Sequence, residues 1–198
     1  MELADYQSRI AAQARLLRAA AVSVAAETPV PTCPGWTVQQ LLRHVGRVFD
    51  MVIRVVQTAD PQVPPPRLEP AGGDALAALD ERLATVLDVL ARTDPATPAW
   101  NFTPTAPKTA AFWSRRMAHE VTVHRIDAEA AAGTSTEVDP DLAADGVDEL
   151  LTRLIARDPR PGRRPLPSAL GGSVVYRAVD VGRVWTVHLA AGQLPQTT

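Results

Sequence analysis

The chain has 198 residues, 46% of them hydrophobic and 21% charged, with a formal net charge of −2 at pH 7. These totals fit one ordinary globular domain with at most a small appendage, and they give no basis for a polyanionic partner such as nucleic acid. Aromatic residues are 5% of the total while alanine is abundant, a balance that favours helices over sheets.

Cys33 is the single cysteine, which rules out an intrachain disulfide or a cysteine-based zinc knuckle and fits a reducing compartment. The segment LLRAAAVSVAAE is a poor signal peptide, because Arg9, Arg15 and Arg18 are scattered through its neighbourhood and Glu2 and Asp5 precede it. No apolar run approaches the length needed to span a bilayer. A cytoplasmic location is therefore expected, with no membrane or nucleic-acid partner, as a monomer or a homodimer.

The first helix is expected from about residue 2 to residue 27, with Ile10, Ala14, Leu17 and Ala21 on one stripe. TPVPTCPG (28–35) ends it with three prolines and a glycine. A second helix starts at Thr37, where Thr37-x-x-Gln40 has the spacing of a capping box, and runs to about residue 57. Leu41, Val45, Val48, Phe49, Val52 and Val56 form its buried face. After the proline-rich loop 59–73 comes a third helix over residues 74–91, with Leu76, Leu79, Leu83, Val86, Leu87 and Leu90 on its apolar side. Residues 94–107 are a proline-punctuated loop. The fourth helix spans about 109–132 and stops at Gly133, a suitable C-cap.

Four amphipathic helices of this length predict an antiparallel four-helix bundle, so the fold class is mainly α. A fifth helix is expected over 140–157 behind Asp139, a possible N-cap, and counts with the bundle as a domain covering residues 1–157. Residues 158–172 read as a linker. In the tail, 173–198, SVVYRAVD and RVWTVHLA alternate like two strands of a short hairpin turning at Val181-Gly182. Two strands alone are marginal in water, so the tail packs on other structure or begins a larger domain.

The fourth helix contains MAHEVTVHRID (117–127), which resembles the H-E-x-x-H of zinc proteases with the second histidine one residue late. At about 100° per residue His119 and His124 point roughly 140° apart, so the protease reading fails on geometry. Glu120 and His124, four apart, differ by only about 40° and can chelate together. They fall within the stripe of Trp113, Met117, Val121, Ala128 and Ala131, whereas His119 falls opposite with Arg115 and Thr122 and reads as surface. A carboxylate facing a bundle core is costly unless paired or metal-bound. His44, at the border of the second helix's apolar face, offers a partner and completes a His₂Glu set of the kind that holds catalytic zinc. Asp127 follows His124 by three and can orient its imidazole. Spacing alone leaves a second reading open, in which Glu120 and His124 are a simple pair on one face. Cys33 reads as a loop thiol, His188 as the polar face of a strand, and Trp36 as a packing anchor before the second helix.

VPTCPGWTVQQLLRHVGRV (30–48) followed by WSRRMAHEVTVHRIDAE (113–129) resembles the mycothiol-dependent maleylpyruvate isomerase family. The resemblance covers most of residues 1–157 and implies a DinB-like four-helix fold, with the family's metal ligands falling on His44, Glu120 and His124. The tail from Ser173 looks like the opening strands of that family's small C-terminal α+β domain, here a truncated one. The resemblance further implies a divalent metal, zinc by the chemistry of the ligand set, and mycothiol, the low-molecular-weight thiol of actinobacteria, as thiol cofactor. In the family reaction the thiolate adds to the cis double bond of maleylpyruvate, the single bond rotates, and expulsion of the thiol gives fumarylpyruvate. Arg116, about 40° from Glu120, is a candidate clamp for the dianionic small-molecule substrate. Two rival readings remain: a DinB-like mycothiol S-transferase acting on another electrophile, and a non-catalytic metal-binding protein.

Overall fold

A computed structural model of the chain describes residues 2–66, 73–104, 106–155, 171–191 and 193–198. The linker expected at 158–172 lies almost wholly outside them, as do the last two residues of the expected fifth helix. The protein is mainly helical with a small three-stranded sheet, and it divides into two compact units, residues 1–101 with 108–137 and residues 102–107 with 138–198.

The first unit is a bundle of four helices: α1 (Leu3–Val22), α2 (Val38–Thr58), α3 (Ala75–Arg92) and α4 (Ala110–Ala132). Helix α1 is about a turn shorter than its periodicity suggests. Ser23 closes it through its backbone N–H and its hydroxyl, both donating to the Ala20 carbonyl. Helix α2 begins at the expected capping box, with the Thr37 hydroxyl accepting from the Gln40 N–H and the Gln40 side chain accepting from the Thr37 N–H. Asp74 caps α3, and Gly133 ends α4 in the left-handed conformation (φ 67°). The side chains facing the centre, among them Ile10, Leu17, Leu41, Val45, Phe49, Val52, Trp113, Met117 and Val121, have no solvent exposure. Helix α1 packs chiefly on α4, and α2 on α3.

The antiparallel relation expected from the sequence holds between α2 and α4: Thr32 and Cys33, ahead of α2, meet Asp127, while His44 further along meets Glu120. It does not hold between α2 and α3. Leu42, Arg43 and Gly46 lie beside Ala75, Ala78 and Leu79, and farther along both helices Ile53 and Gln57 lie beside Glu81 and Thr85, so the two run in the same direction. A helix of α2's length is about 30 Å long, and a connection the size of residues 59–74 can reach up to ~50 Å, so the chain can return to the starting end. The pair is secured by Arg82, which bonds Asp50 at 2.6 Å and whose stem passes close over Gly46.

Helix α4 also buries polar groups. Arg125, fully buried, donates to Glu129 at 3.0 Å and to the Thr136 carbonyl at 2.8 Å, and Glu129 in turn accepts the Thr136 N–H. This latch ties the strand of chain beyond Gly133 back onto the helix.

In the second unit, α5 (Pro140–Glu149) starts at the expected N-cap, Asp139, and continues into a single π-helical turn, Leu150–Leu154. Strands β1 (Gly172–Ala178) and β2 (Arg183–Leu189) form the expected antiparallel hairpin, and a third strand, β3 (Gln196–Thr197), pairs with β2. The sequence counts the fifth helix with the first four; here its buried side meets the sheet. Ala144, Leu151, Trp185 and Val187 form one apolar cluster, and Asp148 accepts from both the Trp185 indole and Arg183. The Thr197 hydroxyl donates to the Leu151 carbonyl inside the π-turn, where the helical ladder is widened.

Glu129→Ala leaves the Arg125 guanidinium buried without its counter-charge: Nη1 keeps only the Thr136 carbonyl, and Nε and Nη2 have no hydrogen-bond partner among the described residues. A loss of about 3–5 kcal/mol in chemical denaturation is expected. A loss within ~0.5 kcal/mol, the range of an ordinary surface substitution, would show that the pair is not needed.

Candidate metal centre

The loop between α1 and α2 is folded by its own backbone. The Val30 N–H donates to the Trp36 carbonyl, Trp36 N–H to Cys33, and Pro29 bridges to Thr37, with Gly35 supplying the left-handed turn residue (φ 82°). These bonds present Thr32, Cys33 and Trp36 on one side, and the capping box then starts α2 so that His44 follows two turns after Trp36. The two rings meet, with centroids 5.0 Å apart. On α4, Arg116, Glu120, His124 and Asp127 are spaced by four, four and three residues, which puts them along one face of the helix.

The two helices bring three donors together. His44 Nε2 lies 3.1 Å and His124 Nε2 3.2 Å from the same oxygen, Glu120 Oε1, and one ligand atom from each residue lies within 4.8 Å of the others. The second carboxylate oxygen, Oε2, accepts from Arg116 Nη2 at 2.5 Å. The second nitrogen of His124, Nδ1, meets Asp127 Oδ2 at 2.8 Å, and Asp127 also accepts from the Thr32 hydroxyl at 2.6 Å and from the Cys33 thiol at 3.5 Å. Glu120 and His124 are each only 13% exposed and His44 29%, so the cluster lies at the edge of the core with one side reachable.

Burial by itself would push Glu120 towards the neutral acid. Hydrogen bonds from His124 and His44 and the charge of Arg116 outweigh it and hold the carboxyl well below the usual carboxylate range. Burial likewise works against a charged His124, yet the bonds and charges of Asp127 and Glu120 prevail and its pKa is pushed up to about 9. For Asp127 burial again opposes the charge, and His124 and Thr32 hold the group below its ordinary value. Partial burial, then the Asp127 carboxylate, push the Cys33 thiol up, so this thiol is not poised as a thiolate.

All three residues of the expected His₂Glu set thus converge, and Asp127 meets His124 as its spacing suggests. Arg116, considered from sequence as a clamp for an anionic substrate, is paired with Glu120. Three neighbours, Trp36, Thr32 and Cys33, were not placed here by sequence. Trp36, read as a packing anchor, does pack, but on a ring of the cluster; its position two turns before His44 is the only local signal. Thr32 reaches Asp127 across 95 residues of chain, and no local pattern announces it. His119, read as surface, is buried with its ring edge-on to Tyr6, because α1 covers the flank of α4 opposite α2.

With its folded-state pKa above the ordinary histidine value, His124 favours the folded chain when protonated. In metal-free protein that contribution is complete below about pH 6.5 and is lost as pH rises through about 9. Thermal midpoints of metal-free samples should fall across that window, and His124→Gln should flatten the fall; parallel profiles for parent and variant would contradict the ion-pair account.

No helix among the described residues is long and apolar enough to cross a membrane. Comparison with curated proteins and with solved structures finds no match. The family of the mycothiol maleylpyruvate isomerase N-terminal domain does match, over residues 7–129, a span that includes α2, α3, the loop carrying Thr32, Cys33 and Trp36, and all three converging ligand candidates. With more than half of its length covered, the chain belongs to the mycothiol maleylpyruvate isomerase N-terminal domain family.

Proposed function

We propose that the protein is a divalent-metal-dependent enzyme that uses mycothiol on a small electrophile, by the addition–elimination isomerisation of its family or by a related thiol reaction. The observation that carries this reading is the convergence of His44 Nε2, His124 Nε2 and a Glu120 oxygen from two helices at the reachable edge of the core.

The donor set fits a metal. Both imidazoles aim the same kind of nitrogen at one carboxylate oxygen, an arrangement that a dication at their common centre would satisfy better than the single shared oxygen does. His124 is suited to it, since in the neutral ring that a metal ligand requires, a donor bond from Nδ1 to Asp127 leaves Nε2 as the lone-pair atom. Two imidazoles and one carboxylate are a catalytic zinc set with a further coordination position for a ligand, although other divalent ions accept the same donors. A bound dication lowers the pKa of a coordinated thiol and so supplies thiolate at neutral pH. The chain's own parts in this are to hold the three ligands, to fix the His124 tautomer through Asp127, and to wall one side with Trp36. In the metal-free protein the Cys33 thiol is pushed up, so Cys33 is not itself poised as a thiolate there.

The purified protein should take up about one equivalent of zinc, and His44→Ala and Glu120→Ala should each lose it. A folded parent that stays metal-free after incubation with zinc would end this reading. Asp127→Ala should keep the site but lower its zinc affinity about 10–100-fold. With metal present, turnover of maleylpyruvate should require added mycothiol; zinc uptake without any thiol-dependent reaction would instead favour a non-catalytic metal-binding protein.

A further inference from the structure

Glu120 has two oxygens with different surroundings. Oε1 sits between the two imidazoles, 3.1 and 3.2 Å from their Nε2 atoms, while Oε2 is turned the other way onto Arg116 Nη2 at 2.5 Å. The Arg116 side chain is 14% exposed, so its guanidinium has little water to turn to, and it stands one helical turn before Glu120 on the same face of α4. A charge-assisted bond between such partners is among the stronger ones available to a carboxylate.

We infer that Arg116 holds Glu120 as a one-oxygen ligand and so keeps a coordination position for an exogenous thiolate. The inference rests on the metal-centre reading above and adds to it a positioning residue and the charge of the ligand. A carboxylate with both oxygens free can close on a dication through both, filling the position that a fourth ligand would take. Arg116 takes Oε2 out of that competition. The charges agree with this role: with Glu120 and Asp127 ionised and Arg116 cationic, a dication leaves the cluster with one surplus positive charge, which a thiolate neutralises. Arg116 therefore acts through Glu120 and is assigned no contact with the reacting carbon atoms.

Cobalt(II) reports this geometry directly, because four-coordinate cobalt absorbs more strongly in the visible than five-coordinate cobalt and a bound thiolate adds a sulfur-to-cobalt charge-transfer band. Cobalt-loaded parent, Arg116→Met and Arg116→Lys would be compared with and without 2-mercaptoethanol, after thermal unfolding has shown each to be folded. The parent is expected to give the four-coordinate spectrum and the charge-transfer band. Arg116→Met should weaken the visible bands before thiol is added and lower the apparent affinity for 2-mercaptoethanol about tenfold or more. Arg116→Lys, which keeps one cationic donor, should recover most of both; Arg116→Ala, which like the methionine variant removes the donor, carries the test with the same expected losses if Arg116→Met does not fold. Spectra and thiol affinity that stay at the parent's values in every folded variant overturn the assignment of Arg116 and leave the metal centre standing. A folded parent that shows no cobalt bands at all overturns the metal centre and this inference together.

Discussion

A carboxylate at the edge of an apolar core needs partners, and Glu120 sets the arrangement of everything near it. Leaving such a charge unpaired would cost several kcal/mol, a large fraction of a domain's net stability. Its partners come from two places: Arg116 and His124 from its own helix, one turn to either side, and His44 from α2. The first two are supplied by helical spacing alone. The third requires α2 to lie beside α4 at one height, so this contact fixes the register between the two helices.

A second tier of contacts follows from the first. His124 must keep its Nε2 towards Glu120, and Asp127 secures this by taking Nδ1; Asp127 is in turn steadied by Thr32 and Cys33 from the loop that leads into α2. The loop that positions α2 is thus bonded to the helix that α2 must meet. His44 is held differently, by ring contacts to Trp36 and His124 rather than, among the described residues, by a partner on its second nitrogen. It is also the most exposed of the three, which makes it the side from which the cluster is approached.

Helix α4 shows what this arrangement does to an amphipathic pattern. It buries His119, Thr122, Arg125, Asp127 and Glu129, and it exposes Val123 and Ile126. The inversion arises because α4 is covered on two flanks, by α1 and by α2, and because polar groups on those flanks satisfy one another: the Thr122 hydroxyl bonds the Ala118 carbonyl, and Arg125 bonds Glu129 and Thr136. Local preference and tertiary position disagree along this helix more than elsewhere in the bundle, and they disagree beside the candidate site, where such conflicts are expected to collect. Membership of the family accounts for the bundle and the conjunction of its two motifs; the reaction itself depends on the groups around the ligands, since one bundle serves many chemistries.

The sequence by itself determined the helices and several of their caps, because these depend on neighbours within four residues: Thr37 with Gln40, Asp139 and Gly133 all act where their spacing places them. It also determined that Glu120 and His124 share a face and that His44 stands at the border of the second helix's apolar face, for helical angles are set by residue count; that the two faces meet was decided by the packing of α2 on α4. Tertiary structure alone decided the direction of α3 relative to α2, since a long connection permits either sense, and it decided that α5 packs against the C-terminal strands. It alone turned His119 inward and brought Thr32 to Asp127. A one-dimensional pattern records which side chains stand on the same face of a helix; which neighbour covers that face, and which oxygen of a carboxylate it takes, is settled only when the helices meet.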